Sequence, residues 1–236
     1  MNYDLQSLLQ LPLFLGMGRS ELADIEKEVS ISGTHAKRGT IFASENQACT
    51  ALIIVSKGTV TVSTMSDDRS YEIDEILEAP LLIQPEYIFG IRQRYTATFK
   101  AQTYCEVLRI EKPMVLRLME LSMTFRLNLM NIIATQSQRY AGRLWHQMHE
   151  DIESRIIRFI KDRCIYPAGH KLLRTKMTVL AKELGCSRLE VSEALHRLEE
   201  KELLIVDIFK MELAKAKKAL KALLSEAIVT GGKASG

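Results

Sequence analysis

The stretch TVLAKELGCSRLEVSEALHRLEEKELL, Thr178 to Leu204, constrains this chain more than any other. Thr178 can cap a first short helix, because its hydroxyl can accept from a free backbone N–H one turn in. Val179, Leu180, Ala181 and Leu184 are the apolar positions of that helix. Gly185 follows where a helix end needs a left-handed residue. Cys186 packs in the turn, and Ser187 is a second N-cap. From Arg188 the apolar residues are Val191, Ala194, Leu195 and Leu198, which recur at helical spacing and form one stripe. The other face carries Arg188, Leu189, Ser192, Glu193 and His196. The pattern predicts two helices around a tight turn.

An ordinary antiparallel helix pair would share that pattern. A second helix with a polar N-terminal face also fits a recognition helix entering the major groove of duplex DNA. Charge supports this reading. Residues 151–236 hold 17 Lys and Arg against 12 Asp and Glu, whereas residues 1–150 hold 15 against 17. The basic excess therefore lies in the part that carries the helix pair, as phosphate binding requires. Thr178, Ser187, Arg188, Leu189, Ser192, Glu193 and His196 are the candidate DNA-facing residues.

Upstream, the apolar period is that of strands. Leu5–Leu9 reads as a short helix ended by Pro12, and Ser20 as the cap of a helix with Leu22, Ile25 and Val29 inward. From Lys37 onward come β-rich runs at Thr40–Phe42, Ala51–Val55, Thr59–Met65, Tyr71–Leu77, Thr96–Ala101 and Glu106–Ile110. Gly39, Gly58 and Ser66–Arg69 break them at turn-like intervals. Many short strands without βαβ alternation predict an antiparallel β-roll of the jelly-roll or double-stranded β-helix type. The fold class is thus α+β.

Pro113 suits the first turn of the next helix, which is predicted to run to about His149. Met123, Leu127, Met130, Ala134, Ser137, Ala141 and Leu144 form a heptad seam along it. Phe125, Leu129 and Ile132 lie on another side and can pack on the roll. A helix with two apolar faces has two partners, and a second copy of the chain is the simplest second one. Asp151 caps a further helix with Ile152, Ile156, Phe159 and Ile160 inward, so a hinge belongs at His149–Asp151. Leu172–Leu173 reads as a short strand, Leu204–Val206 and Met211–Leu213 as a small wing, and Ala214–Ala227 as a terminal helix. The expected domains are a β-roll over 1–112, a dimerisation helix over 113–149, a winged helix-turn-helix over 150–228 and a disordered tail over 229–236.

Two domains suit 236 residues. No run reaches the length of a membrane span, and MNYDLQ is not a signal sequence, so a cytoplasmic protein is expected. Cys49, Cys105, Cys164 and Cys186 are far apart and make no ligand-spaced pair. His146 and His149 could share a metal at helical spacing, but a solvated pair is the preferred reading. No nucleophile–base pair, paired-carboxylate site or Gly-rich phosphate loop is present, so neither an enzyme nor a cofactor is expected.

The element order and six stretches together resemble the CRP/FNR family of bacterial transcription regulators. The stretches are PLFLGMGRSEL, KRGTIF, LIIVSKGTVTV, CEVLRI, DIESRIIRFI and LAKELGCSRLEVSEALHRLEEKELLI. The resemblance implies a homodimer on a two-fold symmetric DNA site, and it admits RNA polymerase as a further partner. Ser187 and Arg188 match the family's first DNA-contacting positions. Arg188 would reach a guanine, and Leu189 a thymine methyl. Glu193 stands where many members have a second Arg, so the operator should differ from theirs.

In cyclic-nucleotide-binding members a Gly-Glu pair holds the ribose and an Arg-Ser pair the phosphate. Here Gln84–Pro85 and Tyr95–Thr96 stand at those places, and Tyr140 and Ala141 at the adenine-touching positions. Loss of the Arg removes the bidentate phosphate grip. The expectation is a regulator without ordinary cyclic AMP binding. Leu82, Ile83, Tyr87, Tyr95, Thr96 and Tyr140 form the candidate pocket for an unidentified ligand, if one exists. Two alternatives stand beside it: a protein-interaction module whose winged helix does not bind DNA, and a cyclic-nucleotide-responsive regulator with a divergent pocket.

Overall fold

The computed structural model describes residues 8–144, 151–166, 168–203, 205–207 and 210–213. The chain divides into two compact units, one of residues 1–62 and 78–147, the other of residues 63–77 and 148–236.

The first unit opens with α1 (Arg19–Glu28), followed by β1 (Ser32–Ala36), β2 (Ile41–Ala43), β3 (Ala51–Lys57) and the start of β4 (Thr59–Met65). After β5 (Tyr71–Glu78) come β6 (Leu81–Ile83), a short 3-10 turn at Pro85–Tyr87, β7 (Thr98–Ala101) and β8 (Cys105–Glu111). Strands β1, β8, β3 and β6 form one antiparallel sheet, and β4, β7 and β2 lie side by side in another. The LIIV run lies in β3, an inner strand of the first sheet, and Ala51 to Val55 are all buried. The interior is filled by Leu52, Ile54, Ile83, Ile88, Phe99 and Leu108, all buried. Phe14 and Phe125 meet at 5.5 Å between ring centroids and tie the N-terminal segment to the helices that follow.

The long helix expected from Pro113 is two helices, α2 (Lys112–Leu121) and α3 (Met123–Leu144). Pro113 does occupy the first turn of α2. Ser122 breaks the run because its backbone is extended (φ −126°, ψ 114°). Its side chain explains the break. Oγ accepts from the Phe125 N–H at 3.0 Å, as a cap does, and the same hydroxyl donates to Glu21 of α1.

The second unit contains α4 (Ile152–Arg163), β9 (His170–Thr175), α5 (Met177–Leu184), α6 (Arg188–Glu200), β10 (Ile205–Asp207) and β11 (Lys210–Leu213). Asp151 caps α4 by accepting from the Ser154 N–H at 2.7 Å. The sheet runs β10, β11, β9, β5, all antiparallel. Ile156, Phe159 and Ile160 of α4 pack with Leu180 and Leu184 of α5, Val191, Ala194, Leu195 and Leu198 of α6, Leu173 of β9 and Ile73 of β5.

Several sequence expectations need correction. Ser20 and Thr178 do not cap their helices. Both helices begin earlier, after extended residues at Gly18 and Lys176, so each hydroxyl lies inside the first turn. The strand expected from Thr96 begins at Thr98, and β1 and β6 were not anticipated. The strand at Leu172–Leu173 extends from His170 to Thr175 because it has a partner on each side. The wing strands pair with each other from Ile205↔Glu212 to Asp207↔Lys210. Leu5–Ser7, the hinge at His149, the pair His146 and His149, the Ala214–Ala227 helix and the tail lie outside the described residues.

Candidate functional site

The end of α5 and the start of α6 form a tightly bonded turn. Gly185 is left-handed (φ 62°, ψ 40°), a conformation that glycine adopts without a Cβ penalty. The Gly185 N–H donates to Lys182 O and the Cys186 N–H to Ala181 O, the paired bonds of a Schellman end. Ser187 then opens α6 with a reciprocal capping box. Its Oγ accepts from the Glu190 N–H at 3.2 Å, and its own N–H donates to Glu190 Oε2 at 2.8 Å. That backbone N–H, with the Ser187 hydroxyl, holds the Glu190 carboxyl below the usual carboxylate range.

The two faces of α6 separate cleanly. Val191, Ala194, Leu195 and Leu198 are buried. Arg188, Glu193 and His196 are exposed, Ser192 is half-buried, and Leu189 stands 68% exposed. Thr178, at the start of α5, is also exposed. Further along α6, Arg197 and Lys201 both donate to Glu153 of α4. Those two cations brace α4 against α6. Sequence reasoning missed this brace, because it joins residues far apart in the chain.

In the first unit the two positions set aside for ribose and phosphate bond each other. Gln84 is fully buried, left-handed (φ 34°), and directed at Thr96. Its Nε2 donates to Thr96 Oγ1 at 2.6 Å, and its Oε1 accepts from the Thr96 N–H at 3.0 Å. Tyr95 does not join them. Its ring is 2% exposed, and its hydroxyl donates to Ala51 O at 3.3 Å beside Cys49. Burial pushes both the Tyr95 hydroxyl and the Cys49 thiol upward.

Ile83 is buried, and Leu82, Tyr87 and Thr96 are half-buried. Tyr140 on α3 donates to Glu86 Oε1 at 3.4 Å. Burial raises the Glu86 carboxyl above its usual range. Sequence reasoning named Tyr140 and missed Glu86. Arg94 is exposed and donates to Asn46 O at 2.6 Å, and Arg92 is exposed too.

Along α3, Met123, Leu127 and Met130 are 60%, 50% and 56% exposed. Ala134, Ser137 and Ala141 continue the stripe on the exposed side. Phe125 and Leu129 are buried in the first unit, and Ile132 is half-buried. The side chain of Leu144 lies outside the described residues. Among the described residues no cluster of His, Cys, Asp and Glu could hold a metal ion, and no helix is long and apolar enough to cross a membrane.

No curated protein matches the chain. Several solved structures do. The catabolite activator protein of Thermus thermophilus is 19% identical over 91% of this chain and 97% of its own, with a TM-score of 0.47. A putative regulator of the CRP/FNR family from Eubacterium rectale is also 19% identical, over 90% of this chain and 97% of its own, with a TM-score of 0.47. DNR from Pseudomonas aeruginosa is 15% identical over 94% of this chain and 99% of its own, with a TM-score of 0.45. Residues 34–122, which run from β1 to the end of α2, match the cyclic nucleotide-binding domain family.

Proposed function

We propose that this chain is a sequence-specific DNA-binding transcription regulator, acting as a cytoplasmic homodimer on a two-fold symmetric site. In this reading the roll of residues 1–112 is the effector domain, 113–149 the dimerisation region and 150–228 a winged helix-turn-helix. The effector domain has lost its cyclic-nucleotide anchors and responds to another ligand or to none. RNA polymerase is a further partner under the same reading.

The observation that carries the proposal is the division of α6. Its apolar stripe is buried, while Arg188 and Leu189 at the N-terminal end and Glu193 and His196 farther along are presented outward, with Ser192 half-buried between them. That is the arrangement a recognition helix needs to reach base edges. The protein-interaction alternative would draw on the acidic residues Glu190 and Glu193 of α6, and of these Glu190 is engaged in the cap of its own helix. The cyclic-nucleotide alternative draws on the domain match over 34–122 and is opposed by the bonds between Gln84 and Thr96.

The test is binding to random duplex DNA across a range of salt. Affinity should fall steeply as salt rises, because bound phosphates release counterions. Absence of binding at low salt would overturn the proposal.

A further inference from the structure

The second unit is built from two separate pieces of chain. Residues 63–77 lie between strands of the roll in sequence, yet they fold with residues 148–236. Strand β5 pairs with β9 over six positions, from Tyr71↔Thr175 to Ile76↔His170. On its other edge β9 pairs with β11. Without β5, one edge of β9 would carry open N–H and C=O groups.

The contribution is also apolar. Ile73 is 1% exposed and sits in the cluster that carries α5 and α6. Tyr71 meets Phe159 of α4 edge-on at 5.2 Å, and its hydroxyl accepts from Arg163 Nε at 2.8 Å. Gly169, just before β9, completes the fit. A Cβ there would come within 2.5 Å of Ile76 O, and its φ of +91° already favours glycine.

Near one end of the pairing, at Glu75↔Lys171, lies a buried ion pair. Lys171 Nζ is 2.5 Å from Glu75 Oε2, with side-chain exposures of 3% and 0%. Every donor of the ammonium is used, the other two going to Tyr166 O and Ala168 O. Glu75 also accepts from the Ile165 and Tyr166 N–H groups at 2.6 and 3.0 Å. Beside it Arg174 bridges Asp74 and Glu72. A buried pair so fully bonded holds its geometry, and removing one member leaves an uncompensated charge.

We propose that residues 63–77 are a working part of the DNA-binding unit. Strand β5, held by Glu75 on Lys171, positions β9 and through the shared core the helices α5 and α6. DNA affinity is therefore set in part from a hairpin of the roll sequence, and residues 148–236 do not suffice for it. Glu75 and Lys171 are positioning residues in this account, which rests on the DNA-binding reading above.

The test uses the full chain with the substitution Glu75→Gln. Amide hydrogen exchange in β9 and α6 should accelerate at least about tenfold, and duplex affinity should fall at least about tenfold, which is about 1.4 kcal/mol. Exchange in β1, β3 and β8 should stay as in the wild type. Unchanged exchange in β9 and α6, unchanged affinity despite faster exchange, or equal acceleration in β3 and β8 would each overturn the proposal. If the wild type fails to bind duplex DNA at low salt, the DNA reading falls and this proposal with it. The exchange contrast then shows separately whether β5 still holds α6.

Discussion

Gln84 and Thr96 clasp each other through two hydrogen bonds, at 2.6 Å from amide to hydroxyl and 3.0 Å from backbone N–H to amide oxygen. By the family resemblance, the acidic group for a cyclic nucleotide's ribose would stand at Pro85, beside Gln84, and the guanidinium for its phosphate at Tyr95, beside Thr96; neither residue can supply it. The clasp also occupies the polar groups of the two flanking residues with each other. Calorimetric titration with cyclic AMP is therefore expected to show no saturable heat, and micromolar saturation would refute this. Gln84→Ala should destabilise the first unit by about 1–3 kcal/mol, because the Thr96 N–H then loses its partner in a half-buried site.

The Ser122 break yields a second expectation. Ser122 is fully buried, and its hydroxyl serves Phe125 and Glu21 at once. Ser122→Ala should lower stability by about 0.5–2 kcal/mol, the usual cost of a lost N-cap. Denaturant titration of the variant checks this, and a stability equal to wild type would remove the cap as the reason for the break.

The exposed stripe on α3 supplies a third. Met123, Leu127 and Met130 leave large apolar surface uncovered, and Ala134, Ser137 and Ala141 continue it with small residues. In a homodimer joined there, Ala134→Glu or Ala141→Glu would set like charges against each other across the two-fold axis. Sedimentation should then shift from the dimer to the monomer. An unchanged profile would place the dimer contact elsewhere.

These residues show what the sequence could and could not disclose. Gly185 and Ser187 were legible because a Schellman end and a capping box are local, with every partner within five residues. Strand β4 was legible to its last residue for the same reason, since alternation and flanking turns mark it. The break at Ser122 was not legible. It depends on Glu21, 101 residues away, and the helical period runs on through it. Strand β5 was legible as a strand and β9 in part, at Leu172–Leu173, while their pairing across about 100 residues was not. Nothing in a period of two says which edge a strand will meet. The Gln84–Thr96 clasp lay between these cases. Both positions were singled out for what they lack, and the bond between them emerged only from geometry.

A fourth expectation concerns base recognition. Arg188 and Leu189 stand exposed at the first turn of α6. If Arg188 reads a guanine, Arg188→Ala should cost about 1–3 kcal/mol of specific binding and relax selectivity at one base pair. Competition between a selected site and random duplex measures it. An equal loss on both DNAs would reassign Arg188 to a phosphate.

The brace between α4 and α6 leads to a pH-dependent stability. Arg197 Nε donates to Glu153 Oε1 at 2.6 Å, and Lys201 donates to the other oxygen. The bond from Lys201, then that from Arg197, holds the Glu153 carboxyl below its usual range. A folded-state value below the unfolded one, about 4.3, means that the native state binds this proton less readily. The stabilisation is thus complete above that unfolded value and is lost as pH falls through the lower folded one. Glu153→Gln removes the charge at every pH. The variant should melt below the wild type near neutrality, and the gap should close as pH drops below about 4. A gap of constant size down to that acidity would mean that the ionised carboxylate is not what holds α4 to α6.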